Sequence, residues 1–196
     1  MGDVKRMIVG VSGASGAPLA AAFLTALRRA GGWESHLVMT QGARLTLGPE
    51  TGLSVSGFQA LADVVYDPGQ VGAAIASGSF GWDGMAVVPC SMKTLAGIAC
   101  GYSDNLLLRA ADVTLKERRR LVLAARETPL SAIHLRNMLT LTEMGAVILP
   151  PVLTYYHQPG TVEDMPRQFT GKLLDQFGIQ MPGYGRWDGE ACGYGD

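Results

Sequence analysis

Cysteine is scarce and badly placed for pairing. Only three occur among 196 residues, Cys90, Cys100 and Cys192, and no two form a C-x-x-C pair. An odd set of thiols without that spacing excludes a disulfide framework and points to a reducing compartment. Histidine is as sparse: His36, His134 and His157 fit no metal-ligand spacing, so no metal is expected. Charged residues make up 17% of the chain and sum to a net charge of -1, which leaves no basic field for nonspecific nucleic-acid binding but allows a local anion site. No run approaches the ~18 apolar residues that span a bilayer. The first residues, MGDVKRMIVGVSG, hold one short strand instead of a secretory apolar core, and Arg6 stands where a myristoylation signal wants Ser or Thr. A soluble, cytoplasmic protein with no membrane contact is expected.

Two nucleotide fingerprints are missing as well. From Val9 the chain runs VGVSGASGAPLAAAFLTALRRAG, an apolar strand that turns through glycines into an alanine-rich helix. Such turns often cradle phosphate. The glycines fall at Gly10, Gly13 and Gly16, which is not G-x-G-x-x-G, and Gly16 is followed by Ala17 and Pro18, which excludes a Walker ending. A dinucleotide enzyme also wants Asp or Glu at the end of its second strand to hold the ribose diol, and here Thr40 occupies that place. A hydroxyl suits a phosphate or a ribityl chain, which tilts the reading from NAD toward a mononucleotide such as FMN.

What is present is an alternation of short apolar runs with helix-period segments. Hydrophobic residues reach 47%, enough for one well-buried domain. Strands are expected at 6–11, 35–40, 84–88, 121–125 and 146–149, and helices at 18–30, 91–100, 104–118, 130–144 and 162–177. Pro166 argues that the last helix begins there and not earlier. Shorter helices are expected near 55–62 and 71–76, within a less regular stretch. This order predicts an α/β fold, a Rossmann-like doubly wound parallel sheet in a single domain over residues 1–189. The stretch after Met181, PGYGRWDGEACGYGD, is glycine-rich, and its last residues, 190–196, are expected to be a disordered tail.

In such a sheet ligands bind beyond the carboxyl ends of the strands, where helices begin with unpaired N–H groups. The expected loops are Ser12-GASG, Thr40-Gln41, Pro89-CSMKT, Arg126-ETP and Pro150-PVLTYYHQP. Ser91 and Thr94 share the first turn of one helix, where they can grip a phosphate or simply cap the helix. Arg109 and Lys116 lie seven residues apart, about 10 Å along one helix face; they are either an anion site or a solvated helix end. Glu127 is either an acid/base group at a strand end or a structural partner of Arg126.

Taken together, GVSGASGAPLA, VPCSMKTLAGIA, DNLLLRAADVTLKERRRLVL, RETPLSAIHLRNML and GAVILPPVLTYYHQP resemble the UbiX-type flavin prenyltransferases, formerly called phenylacrylic or aromatic acid decarboxylases. The resemblance covers residues 7–187, with five motifs in order. It implies an enzyme that joins a dimethylallyl group from dimethylallyl monophosphate to N5 and C6 of reduced FMN, without metal, and hands prenylated FMN to a UbiD-type decarboxylase. It also implies a homododecamer with sites at subunit boundaries, so that Arg109 can serve a neighbour's site.

Carried over motif by motif, the resemblance assigns FMN contacts to Gly13, Ala14, Ser15, Thr40, Ser91, Thr94 and Arg126. It assigns the donor pocket to Tyr156, Lys172, Arg109, Lys116 and Trp187, and catalytic roles to Glu127, Ser15 and Lys116. The family commonly has serine at the Thr40 position, and many members have arginine at that of Lys172. Cations and donors on the departing phosphate lower the barrier to C–O cleavage directly. Two other readings are an FMN-binding aromatic acid decarboxylase and a noncatalytic FMN carrier or accessory subunit of one. Cysteine-decarboxylating flavoproteins need a catalytic histidine after the first loops, a region where this chain has only His36. A carrier has no use for Tyr156, Lys172 and Glu127.

Overall fold

A computed structural model describes residues 4–187. Six parallel strands, β1 (Lys5–Val11), β2 (Trp33–Met39), β3 (Val64–Tyr66), β4 (Gly84–Cys90), β5 (Arg120–Ala125) and β6 (Val147–Ile148), form one sheet in the order β3-β2-β1-β4-β5-β6. Helices α1 (Ala17–Ala30), α2 (Gln41–Thr51), α3 (Val55–Gln59), α4 (Met92–Ala99), α5 (Leu106–Lys116), α6 (Ala132–Glu143) and α7 (Asp164–Asp175) complete the chain order. The expected doubly wound α/β sheet is what forms. Among the described residues, no helix is long and apolar enough to cross a membrane.

Alternation along β1 decides which core each residue joins. Met7, Val9 and Val11 pack with Phe23, Leu24 and Leu27 of α1 and with Leu173 and Leu174 of α7. Ile8 points the other way, into a second core with Val87 of β4, Leu95 of α4 and Leu107 of α5. Burying each such side chain contributes about 1.5–3 kcal/mol, so β1 is anchored from both faces. The stripe Ala17, Ala20, Phe23, Leu24 and Leu27 recurs at helical spacing on α1. Pro18 lies in its first turn, and Gly31 takes the left-handed φ of 68° just past its end.

Four elements differ from the sequence reading, and the helix expected near 71–76 is one of them: only a single 3-10 turn forms there, at Ala74–Ala76. Helix α2 was not expected, because its residues include Gly42, Gly48 and Pro49 and bury only Ala43 and Leu47. A helix with that composition is held by its cap and its packing, not by propensity. Strand β3 is three residues long and pairs only with β2, too short for periodicity to reveal. Helix α7 starts at Asp164, two residues before the expected Pro166. The Asp164 carboxylate accepts the N–H groups of Gly160 and Thr161 at 3.0 and 2.9 Å, and a proline in the first turn forfeits no intrahelical hydrogen bond.

The strand order reverses between β1 and β4, so the crevice above their carboxyl ends is the switch point of the sheet. One face of the chain stays uncovered. On α6 only Leu141 is buried, while Ile133, Leu135 and Leu139 are exposed, as are Val152, Leu153 and Tyr155 in the following loop. The expected tail at 190–196 and Cys192 lie outside the described residues.

Candidate active site

The loops after β1 and β4 are tied to each other at the switch point. The Ser12 hydroxyl donates to the Pro89 carbonyl at 3.0 Å and accepts the Ser91 N–H at 2.8 Å. Ser91 then caps α4, its oxygen accepting the Thr94 N–H at 3.3 Å. Across the crevice Thr40 caps α2 through the Ala43 N–H at 3.2 Å. The opening loop approaches α2 so closely that a Cβ on Gly13 would lie 2.9 Å from the Cα of Gly42. Only glycine fits that contact, which explains one of the three glycines in the turn.

The amides at the start of α1, which a phosphate was expected to seek, are taken by the protein itself. Gly16 and Ala17 both donate to one oxygen of Glu50 at 2.8 Å, and the Ala14 N–H turns back to the Ser12 carbonyl at 2.9 Å. Burial alone would raise the Glu50 carboxyl. The two amides, the Ser15 hydroxyl beside it and the charge of Arg126 outweigh that and hold it below the ordinary carboxylate value. Glu50 is therefore an ionised carboxylate at neutral pH, near the hydroxyl of Ser15.

Two cavities open above the strand ends. The larger, about 600 Å³, is lined by Gly13, Thr40, Ser91, Thr94, Asn105 and Glu127 among others. Thr40, Ser91 and Asn105 are the N-caps of α2, α4 and α5, so three positive helix ends converge on this one space. That donor set suits a phosphorylated mononucleotide. The smaller cavity, about 240 Å³, lies between the loop after β6 and α7, where Tyr156 and Lys172 face Leu149, Val152, Leu153 and Phe169. A cleft lined by Ser15 and Arg126 shares Val152, Leu153, Met165 and Phe169 with it, so the α1 turn and the Lys172 cavity adjoin.

Most residues expected at the site therefore gather on the carboxyl edge. Gly13, Thr40, Ser91, Thr94 and Glu127 line the larger cavity; Ser15 and Arg126 line the cleft; Tyr156 and Lys172 line the smaller cavity. Ala14 sits in the turn between them. Trp187 is exposed, with its ring 6.1 Å from that of Tyr156 and nearly perpendicular to it. Glu127 is exposed as well, and its carboxylate accepts the Thr128 N–H at 3.0 Å.

Arg109 and Lys116 line none of these cavities within one chain. Helix α5 begins at the cavity with Asn105 and runs back toward the start of β5, carrying both away. Arg109 is held by the Ala76 carbonyl at 3.2 Å and by Asp112 at 2.8 Å. Lys116, in the last turn, pairs with Glu117. The sequence reading missed Glu50, which lies 34 residues from the Gly16 amide that it binds; no local pattern links the two.

An open parallel sheet whose helix N-termini converge on a switch-point cavity defines a nucleotide-binding α/β protein of the mononucleotide type. A family model described as Flavoprotein matches residues 1–167. The protein named "Probable UbiX-like flavin prenyltransferase" of Streptomyces sp. (strain D7) is 54% identical over 184 residues, spanning 94% of this chain and 92% of that one. Among solved structures, a dodecameric FMN-dependent UbiX-like decarboxylase from Escherichia coli O157:H7 superposes with a TM-score of 0.92 at 52% identity, over 93% of this chain and 98% of the other. AnUbiX, solved in complex with FMN and dimethylallyl pyrophosphate, also gives 0.92 at 52% identity, over 94% and 97%. The chain belongs to the Flavoprotein family and, within it, to the UbiX-like flavin prenyltransferases.

Proposed function

We propose that the protein transfers a dimethylallyl group from dimethylallyl monophosphate to N5 and C6 of reduced FMN, giving prenylated FMN for a UbiD-type decarboxylase. The observation that carries this reading is a pair of separate cavities above the strand ends, the smaller of which adjoins the cleft lined by Ser15 and Arg126. One has three helix N-termini for the FMN phosphate, and the other has Tyr156 and Lys172 set in an apolar wall. A carrier of FMN needs only the first.

FMN, once bound and reduced, supplies the nucleophilic N5 and C6. The chain's own residues do the rest. Gly13, Ala14, Ser15, Thr40, Ser91, Thr94 and Arg126 hold it. Lys172 and Tyr156 place a positive charge and an O–H on the donor phosphate, stabilising the negative charge that grows as the C–O bond breaks. Val152, Leu153, Phe169 and Trp187 keep water from the allylic cation. Ser15 stands beside Glu50, and this pair would take the proton that N5 loses on alkylation and return it to the prenyl double bond, generating the cation that C6 attacks. Glu127, in the larger cavity, takes the proton lost at C6.

Arg109 and Lys116 act in a neighbouring subunit's site. Second copies cover the apolar surface of α6 and of residues 152–155, and the assembly is a homododecamer like that of the Escherichia coli O157:H7 relative. The protein works in the cytoplasm without metal, membrane or nucleic acid. Anaerobic incubation with reduced FMN and dimethylallyl monophosphate should return a flavin heavier by one C5H8 unit in mass spectrometry. Bound FMN returned unmodified would overturn the transferase reading in favour of the carrier.

A further inference from the structure

Gln168 is a polar side chain only 6% exposed in the wall of the Tyr156 and Lys172 cavity. It lies on α7 four residues before Lys172, so the two share a helix face. All of its hydrogen-bonding groups but one acceptor lone pair are committed. Oε1 accepts the Gly185 N–H at 3.2 Å, while Nε2 donates to the Gly185 carbonyl at 2.8 Å and to the Tyr156 hydroxyl at 2.9 Å. The paired bonds to Gly185 fix which end of the amide is nitrogen, because the backbone N–H needs an acceptor and the carbonyl a donor. The group facing Tyr156 is thus an N–H.

That direction has a chemical consequence. A phenol has one proton to give, and its oxygen can accept. With Gln168 donating into that oxygen, the Tyr156 proton cannot be directed at Gln168, which leaves it to the Tyr184 hydroxyl beside it or to an anion in the cavity that Tyr156, Tyr184 and Lys172 line. We infer that Gln168 is a positioning residue for donor binding, one that aims the Tyr156 O–H at the phosphate of the prenyl donor. Through Gly185 it also ties Tyr156 to the segment that carries Trp187, whose ring stands against that of Tyr156. This inference rests on the transferase reading for the identity of the anion. The hydrogen-bond direction stands independently of it.

The test compares Gln168→Glu, Gln168→Ala, Tyr156→Phe and the doubles in FMN-loaded protein, reading both dimethylallyl monophosphate binding by calorimetry and turnover by mass spectrometry. Gln168→Glu keeps size but places a carboxylate against the phenol, which draws the proton inward. A donor Kd raised tenfold or more is expected, with FMN affinity within threefold of wild type. Gln168→Ala should weaken donor binding about fivefold. In the Tyr156→Phe background, both Gln168 substitutions should change donor Kd by less than twofold, since no phenol proton remains to be aimed. Equal losses in both backgrounds, or no loss in Gln168→Glu, would overturn the positioning role. A wild type that binds donor without prenylating FMN overturns the transferase reading alone, since the binding comparison can still be read. A wild type that binds no donor overturns both.

Discussion

Two helix N-termini meet at the switch point and are used in opposite ways. At α4, Ser91 caps one amide and the helix end opens into a cavity of about 600 Å³. At α1, the amides of Gly16 and Ala17 are closed by Glu50. The same helix-end field that faces an open cavity at α4 holds an internal carboxylate at α1. A glycine-rich turn before a helix is therefore not in itself a phosphate cradle. What decides is whether another part of the chain already supplies the anion.

The largest effect should come from removing that internal anion. Glu50→Gln keeps an acceptor for the amides but loses the charge beside Ser15. Prenylated-flavin formation should fall 10²-fold or more, in the range of a lost acid/base group, with FMN affinity within threefold. Glu127→Gln, on the open side of the crevice, should also bind FMN and stall product, but less severely. A larger loss in Glu127→Gln, with Glu50→Gln near wild type, would reverse the comparison and reduce Glu50 to a helix cap.

Lys172→Met removes the charge from the smaller cavity while leaving both helix ends untouched. A hydrogen bond to a charged group contributes about 1.5–3 kcal/mol, so donor KM should rise at least tenfold without change in FMN affinity. Ser91→Ala acts in the converse sense. It removes the α4 cap, costs about 1 kcal/mol of stability, and should weaken FMN about fivefold while leaving donor KM nearly unchanged. If both substitutions weakened both ligands equally, the two cavities would act as a single site.

Most of the carboxyl edge was legible because each of its loops follows a strong apolar strand. Residues 6–11, 84–88 and 121–125 announce where the chain must turn; Ser12 and Arg126 come directly after their strands, and Ser91 follows Pro89 and Cys90. The Glu50 contact was not legible, because α2 has little apolar periodicity and the carboxylate meets its amides only through the tertiary fold. Gln168 was hidden in another way. A glutamine in an amphipathic helix looks solvated until the loops carrying Tyr156 and Gly185 close over it. Lys116 shows the converse limit: helical spacing places it on a face with Arg109, but spacing carries no information about which end of the sheet, or which subunit's site, that face approaches.

The smallest effect is thermodynamic and isolates the α1 end from catalysis. In the folded protein the Glu50 carboxyl lies below its ordinary value, despite burial that opposes the shift. As pH falls the unfolded chain takes up this proton first, so Glu50 stabilises the fold fully above the ordinary carboxylate range and loses that contribution as pH falls toward the depressed folded value. Urea unfolding of wild type and Glu50→Gln should therefore differ by a constant amount from neutral pH down to the ordinary carboxylate range, with the gap shrinking only below it. A gap that instead shifted further in favour of wild type as pH fell, beginning above that range, would mean that burial outweighs the Gly16 and Ala17 amides, since a raised folded value makes the native state take up the proton first. In that case the α1 end would hold a protonated acid, and the contrast with the open end of α4 would lie in protonation and not in occupancy.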